Sequence, residues 1–192
     1  LTVKKPSRIL VNFMGDLFGN WIDPEMSVHS TLPSGKAELT MSLKGWVFTT
    51  IRQCPQHTFI FLTKQPWNLI KWSPFPPNCW VGVTITDLLD REGKTPLHPM
   101  VGIKAKVKFI SFEPLLHSGS LPRPDALAKA FQMAGINWVI IGTLTPASKE
   151  TLPKLEWVNE IIDAADQAQI PIFLKPPLSD IMNLKRQEFP KC

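Results

Sequence analysis

Six hydrophobic runs alternate along the chain with segments whose hydrophobic residues recur at helical spacing. The runs read RILVNFMGD, HTFIFLTK, CWVGVTITD, KVKFISFEP, WVIIGTLT and PIFLKP. Such near-continuous runs of Val, Ile, Leu and Phe are typical of parallel strands buried on both faces. Strands that alternate with helices predict βαβ units, right-handed crossovers and a parallel sheet.

The segments between these runs predict helices outside the sheet. The clearest helix spans Pro153 to Gln169, because Pro153 suits a first turn and the apolar residues that follow form one stripe. Further helices are expected over Ala37–Cys54, Pro66–Trp72, Pro124–Ala134 and Leu178–Leu184. Residues 23–36 contain two prolines and a glycine without a clear period, which predicts a loop, and residues 24–45 are expected to be a loop insertion.

The fold alternatives are a doubly wound sheet and a β/α barrel. A dinucleotide-binding sheet would carry G-x-G-x-x-G after its first strand, but residues Met14 to Gly19 do not form this motif, and the chain has no phosphate-binding lysine loop. We therefore predict the α/β class and one domain over residues 1–192. Its architecture would be an incomplete β/α, TIM-like barrel of about six parallel strands with helices outside.

Polar residues follow the predicted strands at their carboxyl ends, where a β/α barrel has its active-site mouth. These residues are Asp16, Lys64, Asp87, Glu113, Thr143, Thr145 and Lys175. The face of the fourth run that ends in Ser111 and Glu113, and that of the fifth run that ends in Thr143, carry small polar groups. Such groups rarely suit a helix-facing surface, so both faces are predicted to point into the barrel.

Each of these residues has both a functional and a structural interpretation. Glu113 and Lys175 are the candidate catalytic residues, as acid and base, and the alternative is a structural ion pair of Glu113 with Lys64 or Lys175. Asp16, Lys64, Asp87, Ser111 and Thr143 are candidate ligand-binding residues. For Asp16 the favoured alternative is capping of the following helix, which is the commoner use of Asp after a strand. His57 precedes a strand, which predicts a structural role at the opposite end of the barrel.

Charge and cysteine content narrow the function classes. The net charge is +5, without a block of like charges typical of a nucleic-acid tail, and Lys104, Lys106 and Lys108 alternate ahead of a strand. A solvated edge is favoured for this triplet over a phosphate-binding stripe. The three cysteines are far apart, without a C-x-x-C pair, which predicts neither a disulfide framework nor a metal site and suits a reducing, cytoplasmic setting. No membrane-spanning run or signal peptide is found, and the start at Leu1 suggests a fragment or a start codon read literally.

Several strings match a known family in order along most of the chain. They are ILVNFMGDLF, CPQHTFIFLTK, NCWVGVTITD, AKVKFISFEPLL, NWVIIG and IPIFLK. The chain resembles a phage-associated family of uncharacterised barrel proteins, first named from a mycobacteriophage, that look like distant relatives of radical S-adenosylmethionine enzymes. By that resemblance, Asp16, Lys64, Thr84, Glu113 and Lys175 are mouth residues. Members carry an N-terminal cysteine triad that would bind a 4Fe-4S cluster, which in turn binds S-adenosylmethionine.

This chain has no such triad, so we expect no cofactor in the chain as it stands. The first functional hypothesis is a radical-SAM-like barrel protein of unknown substrate, catalytically incomplete unless an upstream segment supplies the cysteines; that substrate could be a small molecule or related to nucleic acid. The alternative is a cluster-free binding module for a phosphate-bearing or nucleic-acid ligand. A third option is an ordinary barrel enzyme that uses Glu113 and Lys175 without a cofactor.

Overall fold

In the computed structural model, which describes residues 3–12, 14–31, 38–87, 95–115, 122–144 and 152–191, six parallel strands form one sheet. The strands occur in the sheet in their chain order, and the sheet curls into a half-barrel. This confirms the α/β class and the six parallel strands. The strands are β1 (Arg8–Leu10), β4 (Thr58–Thr63), β5 (Cys79–Thr84), β6 (Val107–Phe112), β7 (Trp138–Ile141) and β8 (Ile172–Leu174), and a separate antiparallel hairpin contains β2 (Ser27–Thr31) and β3 (Glu38–Ser42).

Within the described residues, five α-helices and two short 3-10 helices lie around the sheet. They are α1 (Leu43–Arg52), α2 (Leu69–Trp72), α3 (Pro124–Ala134), α4 (Leu155–Gln167) and α5 (Leu178–Ile181), with 3-10 helices at Pro66–Asn68 and His98–Gly102. Helix α3 has the predicted bounds, because Pro124 occupies its first turn and Gly135 ends it with a left-handed φ of 64°. Among the described residues, no helix combines the length and apolar character needed to cross a bilayer.

The segment before α1 differs from the sequence prediction. Residues 38–42 were expected to begin a helix, and residues 27–31 to lie in a loop, but the two stretches pair as β3 and β2, from Ser27 opposite Ser42 to Thr31 opposite Glu38. Ser42 then caps α1, since its hydroxyl accepts a hydrogen bond of 3.2 Å from the amide of Gly45. The helix therefore begins at Leu43, directly after Ser42, which is both the last residue paired in the hairpin and the N-cap of α1.

The sheet has two hydrophobic faces. The larger core lies between the sheet and the helices, whereas a smaller concave-face cluster contains Trp80, Val107, Phe109, Trp138 and Ile140. The indole rings of Trp80 and Trp138 meet edge to face with centroids 5.7 Å apart. Trp80 and Trp138 lie near the amino ends of β5 and β7, so aromatic side chains occupy the concave face at that end of the strands.

The C-terminal segment (residues 184–190) covers the β8 edge of the sheet. The amide of Leu174 donates to the Arg186 carbonyl at 2.7 Å, and the amide of Glu188 donates to the Ile172 carbonyl at 2.9 Å, so the segment runs antiparallel to β8. The indole N–H of Trp138 donates to the Glu188 carbonyl at 2.8 Å. These bonds satisfy an edge that would otherwise present unpaired backbone groups.

Acidification is expected to release this segment from β8. Hydrogen bonding to the Arg186 guanidinium lowers the pKa of Glu188 despite partial burial, with a further contribution from the Ile172 amide. Because the folded pKa lies below the unfolded one, the stabilisation is complete above about pH 4.3 and is lost as the pH falls through the lowered value. The indole N–H resonance of Trp138 should report this step by NMR. In the variant Glu188→Gln the acid step should vanish, and a step that persists would place the titration elsewhere.

Candidate functional site

The carboxyl ends of β4 to β8 form a mouth on the concave side of the sheet. Thr84 pairs with Ser111 in the β5–β6 register, so both side chains lie on the face that also carries Trp80 and Phe109. Glu113 and Lys175 continue this face beyond the ends of β6 and β8. The mouth, defined by Lys64, Thr84, Ser111, Glu113 and Lys175, thus brings together residues that are far apart in the sequence.

An ion pair between Lys175 and Glu113 spans the mouth. The ammonium of Lys175 donates to Oε2 of Glu113, and the hydroxyl of Ser111 lies 3.4 Å from the same oxygen. The side chains of Lys175 and Glu113 are 39% and 29% exposed, so a ligand can reach both charged groups. The ion-pair alternative of the sequence analysis is therefore present in the structure, with Lys175 rather than Lys64 as the partner.

Gly142, at the end of β7, leaves the space through which this pair forms. A Cβ atom at this position would lie 3.1 Å from Oε1 of Glu113 and 3.2 Å from its carboxyl carbon. The carboxylate thus crosses from β6 over the intervening strand to reach Lys175 on β8. The sequence analysis did not select Gly142, although a glycine directly after a hydrophobic run is a signal for close approach of another group.

A cleft of about 280 Å³ lies at the ends of β4 and β5, at the same end of the sheet as the ion pair. Three predicted site residues, Lys64, Thr84 and Asp87, line it together. The other lining residues include the half-exposed Trp67, whose ring gives the cleft an apolar wall. Ammonium, hydroxyl and carboxylate groups around one apolar wall are the features of a site for a small polar molecule.

Asp16 is held by three donors from the protein itself. Its carboxylate accepts from the Thr63 hydroxyl at 2.7 Å, from the Lys64 amide at 3.1 Å and from the Phe18 amide at 2.9 Å. The Asp16 side chain therefore ties the turn after β1 to the end of β4. These bonds favour the capping interpretation of Asp16, while its role in ligand binding stays a prediction.

Thr143 does not lie on the concave face. The pairing of Ser111 with Ile140 places Ile140 on that face, whereas Ile141 packs in the core under the helices, and Thr143 follows the parity of Ile141. The Thr143 side chain is buried, and its hydroxyl donates to the Leu144 carbonyl at 3.1 Å. The prediction that the face of Thr143 points into the barrel was wrong. The strand WVII is hydrophobic on both faces, so the alternation of its side chains does not show which face is the concave one. Thr145 lies outside the described residues.

His57 lies at the opposite end of the strands, as expected. Its Nδ1 accepts a hydrogen bond from the Ser7 amide at 3.2 Å, and its Nε2 donates to the Val3 carbonyl at 2.9 Å. The ring is 1% exposed, and both of its nitrogen atoms have backbone partners. His57 anchors the N-terminal segment, which is a structural role.

The described cysteines do not fit an iron–sulfur cluster. Cys54 and Cys79 are both buried and unpaired, and burial raises the pKa of the Cys79 thiol to about 12. Within the described ranges, no group of three Cys, His, Asp or Glu side chains could hold a metal ion. Cys192 lies outside these ranges. No chemistry through a cluster can be derived from the residues that the structure describes.

The fold and the mouth define a β/α half-barrel protein with polar groups at the carboxyl ends of its strands. A family model described as protein of unknown function (DUF5131) matches residues 1–177, and the chain belongs to this family. No curated protein matches the chain, and no solved structure matches it. The C-terminal segment that covers β8 lies beyond the matched region.

Proposed function

We propose that the mouth binds a small ligand that carries an anionic group together with a hydroxyl or amine donor. The half-barrel would belong to a TIM-like barrel of the radical S-adenosylmethionine type, in line with the sequence resemblance. The single observation that supports ligand binding is the partly exposed Lys175–Glu113 pair at the carboxyl ends of the strands, the end of the sheet that also has the 280 Å³ cleft. The cluster and S-adenosylmethionine of such enzymes would need cysteine ligands from outside the described residues.

An ion pair suits ligand binding because each of its two charged groups can exchange its partner for a group of the ligand. A carboxylate or phosphate of the ligand would replace Glu113 as the partner of Lys175, and Glu113 would then accept from a hydroxyl or ammonium of the same ligand. Each charge keeps a partner through this exchange, so neither group is left uncompensated. Ser111, 3.4 Å from Glu113 Oε2, would hold the freed carboxylate in place.

A second candidate function is acid–base catalysis without a cofactor. It is favoured by the direct hydrogen bond from the Lys175 ammonium to the Glu113 carboxylate. An acid and a base in contact can act on one substrate, the acid by donating a proton and the base by accepting one. In that case Glu113 would take the proton of a ligand hydroxyl, and Lys175 would stabilise the negative charge that forms.

Substitution of Lys175 by Met is expected to weaken ligand binding without unfolding the protein. Calorimetric titration with inorganic phosphate and with S-adenosylmethionine provides the two probes. A charged hydrogen bond contributes about 1.5–3 kcal/mol, so the dissociation constant should rise by roughly tenfold or more. The melting temperature should change little, because exposed ion pairs contribute at most about 1 kcal/mol.

The matched control is Lys129→Met, which removes the same charge from the exposed surface of α3. This variant should bind both probes as the unchanged protein does. Equal weakening in the two variants would mean that bulk charge, not the mouth, attracts the ligand. If neither phosphate nor S-adenosylmethionine binds at millimolar concentration, the proposed ligand class is contradicted.

A further inference from the structure

Two clefts lie at the N-terminal rim, which we define as the amino ends of β4 to β8, opposite the mouth. One cleft of about 380 Å³ is lined by Arg52, His57, Trp80 and Lys106, among others. The other, of about 470 Å³, is lined by Lys106, Phe189 and Lys191 with neighbouring backbone. Lys106 belongs to both linings, so the two clefts adjoin at this side chain.

Arg8 adds a cation between the two clefts. Its guanidinium carbon lies 4.1 Å from the centroid of the Phe189 ring and 5.5 Å from that of Trp80, and each ring lines one cleft. Lys4 and Lys5 are exposed on the N-terminal segment that His57 anchors at this rim. Cationic side chains are therefore distributed along the rim and are not confined to one position.

Two acidic groups near the C-terminal segment share one cation. Asp166 and Glu188 each form an ion pair of 2.8 Å with Arg186, so one guanidinium offsets one of the two negative charges. The remaining negative charge is outweighed by Arg8, Arg52, Lys106 and Lys191 at the rim. The rim is consequently a positively charged surface that contains two clefts.

The lysine triplet before β6 divides between two environments. Lys106 is exposed and lines both clefts, whereas the Lys108 ammonium donates to the Met100 carbonyl at 2.9 Å, and burial lowers its pKa. The solvated edge predicted for the three lysines is confirmed for Lys104 and Lys106, which are exposed, and is wrong for Lys108. Lys106 in addition lines clefts that include residues of α1 and of the C-terminal segment.

We propose that the N-terminal rim binds the phosphate backbone of a single-stranded nucleic acid. Successive phosphates would contact Arg52, Lys106 and Lys191 along the two adjoining clefts. The Arg8 side chain is exposed, and its guanidinium, which lies over the Phe189 ring, offers an unpaired base a stacking surface that a paired base inside a duplex could not use. A cationic groove combined with a stacking surface is how sequence-tolerant single-strand binding is achieved.

Fluorescence anisotropy with a labelled single-stranded RNA of about 16 nucleotides tests the proposal, since known single-strand sites span about 4–16 nucleotides. The double variant Arg52→Gln/Lys106→Gln should bind roughly tenfold more weakly. Its plot of log affinity against log salt should be shallower by about 1.4, because each lost phosphate contact removes about 0.7.

The matched control is Lys129→Gln/Lys154→Gln, which removes two exposed positive charges away from the rim. This control, and the mouth variant Lys175→Met, should retain the affinity and the salt slope. Equal weakening in the rim and control variants would overturn the proposal. So would loss of RNA binding in Lys175→Met, or an equal affinity for a duplex of the same length. Because the rim and the mouth lie at opposite strand ends, either proposal can fail without the other.

Discussion

Replacing Gly82 by Ala should lower the free energy of unfolding by about 1–3 kcal/mol. A Cβ atom at this position on β5 would lie 2.3 Å from two ring carbons of Phe109, closer than nonbonded atoms approach. Phe109 cannot move aside freely, because its ring packs against Trp138 with centroids 5.5 Å apart. Urea denaturation followed by circular dichroism would measure the loss.

A double-mutant cycle separates this clash from a general effect of the substitution. In the background of Phe109→Leu the ring is gone, so Gly82→Ala should cost much less than it does alone. The coupling energy should be about 0.5–3 kcal/mol, the range found for residues in contact. Strict additivity of the two changes would show that Phe109 does not limit the space at Gly82.

Asp16→Ala should destabilise the protein by about 2–4 kcal/mol. The change removes the acceptor for the Thr63 hydroxyl, which is buried, and for the amides of Lys64 and Phe18. Hydrogen bonds to a charged group contribute about 1.5–3 kcal/mol each, and three that share one carboxylate are not additive. Thermal and urea unfolding would both register the loss.

Asp16→Asn is the conservative comparison, because its amide oxygen keeps an acceptor while the charge is lost. We expect it to cost less than half as much as Asp16→Ala. The pair of variants also discriminates between the two interpretations of Asp16. Unchanged stability together with weaker phosphate binding at the mouth would establish the ligand-binding role and contradict the structural one.

The sheet could be predicted from the sequence because its signals are local. Each parallel strand carries a continuous hydrophobic run, and the bounds of α3 are fixed by Pro124 and Gly135. The β2–β3 hairpin lacks such a signal. SVHST and ELTMS are largely polar, so the stripe of α1 appeared to continue back to Ala37, and only the pairing of the two segments shows where it stops.

The mouth could be predicted in its residue types but not in its contacts. Strand ends supplied Glu113 and Lys175, yet the choice of Lys175 over Lys64 depends on the strand order and on the missing side chain of Gly142. The orientation of Thr143 depends on the β6–β7 register, which a strand hydrophobic on both faces does not encode locally. The clefts at the N-terminal rim draw on residues more than 100 positions apart, from Arg52 to Lys191, beyond the reach of any local pattern.

The edge-to-face contact of Trp80 and Trp138 gives the half-barrel an intrinsic optical reporter. The chain contains seven tryptophans and no tyrosine, so its near-ultraviolet circular dichroism comes almost wholly from indole chromophores. Two indoles with centroids 5.7 Å apart couple electronically, and this coupling disappears once the strands separate. A near-ultraviolet spectrum thus reports without a label on the packing of the indoles, on the concave face at Trp80 and Trp138 and in the larger core at Trp72, while the far-ultraviolet spectrum follows the secondary structure.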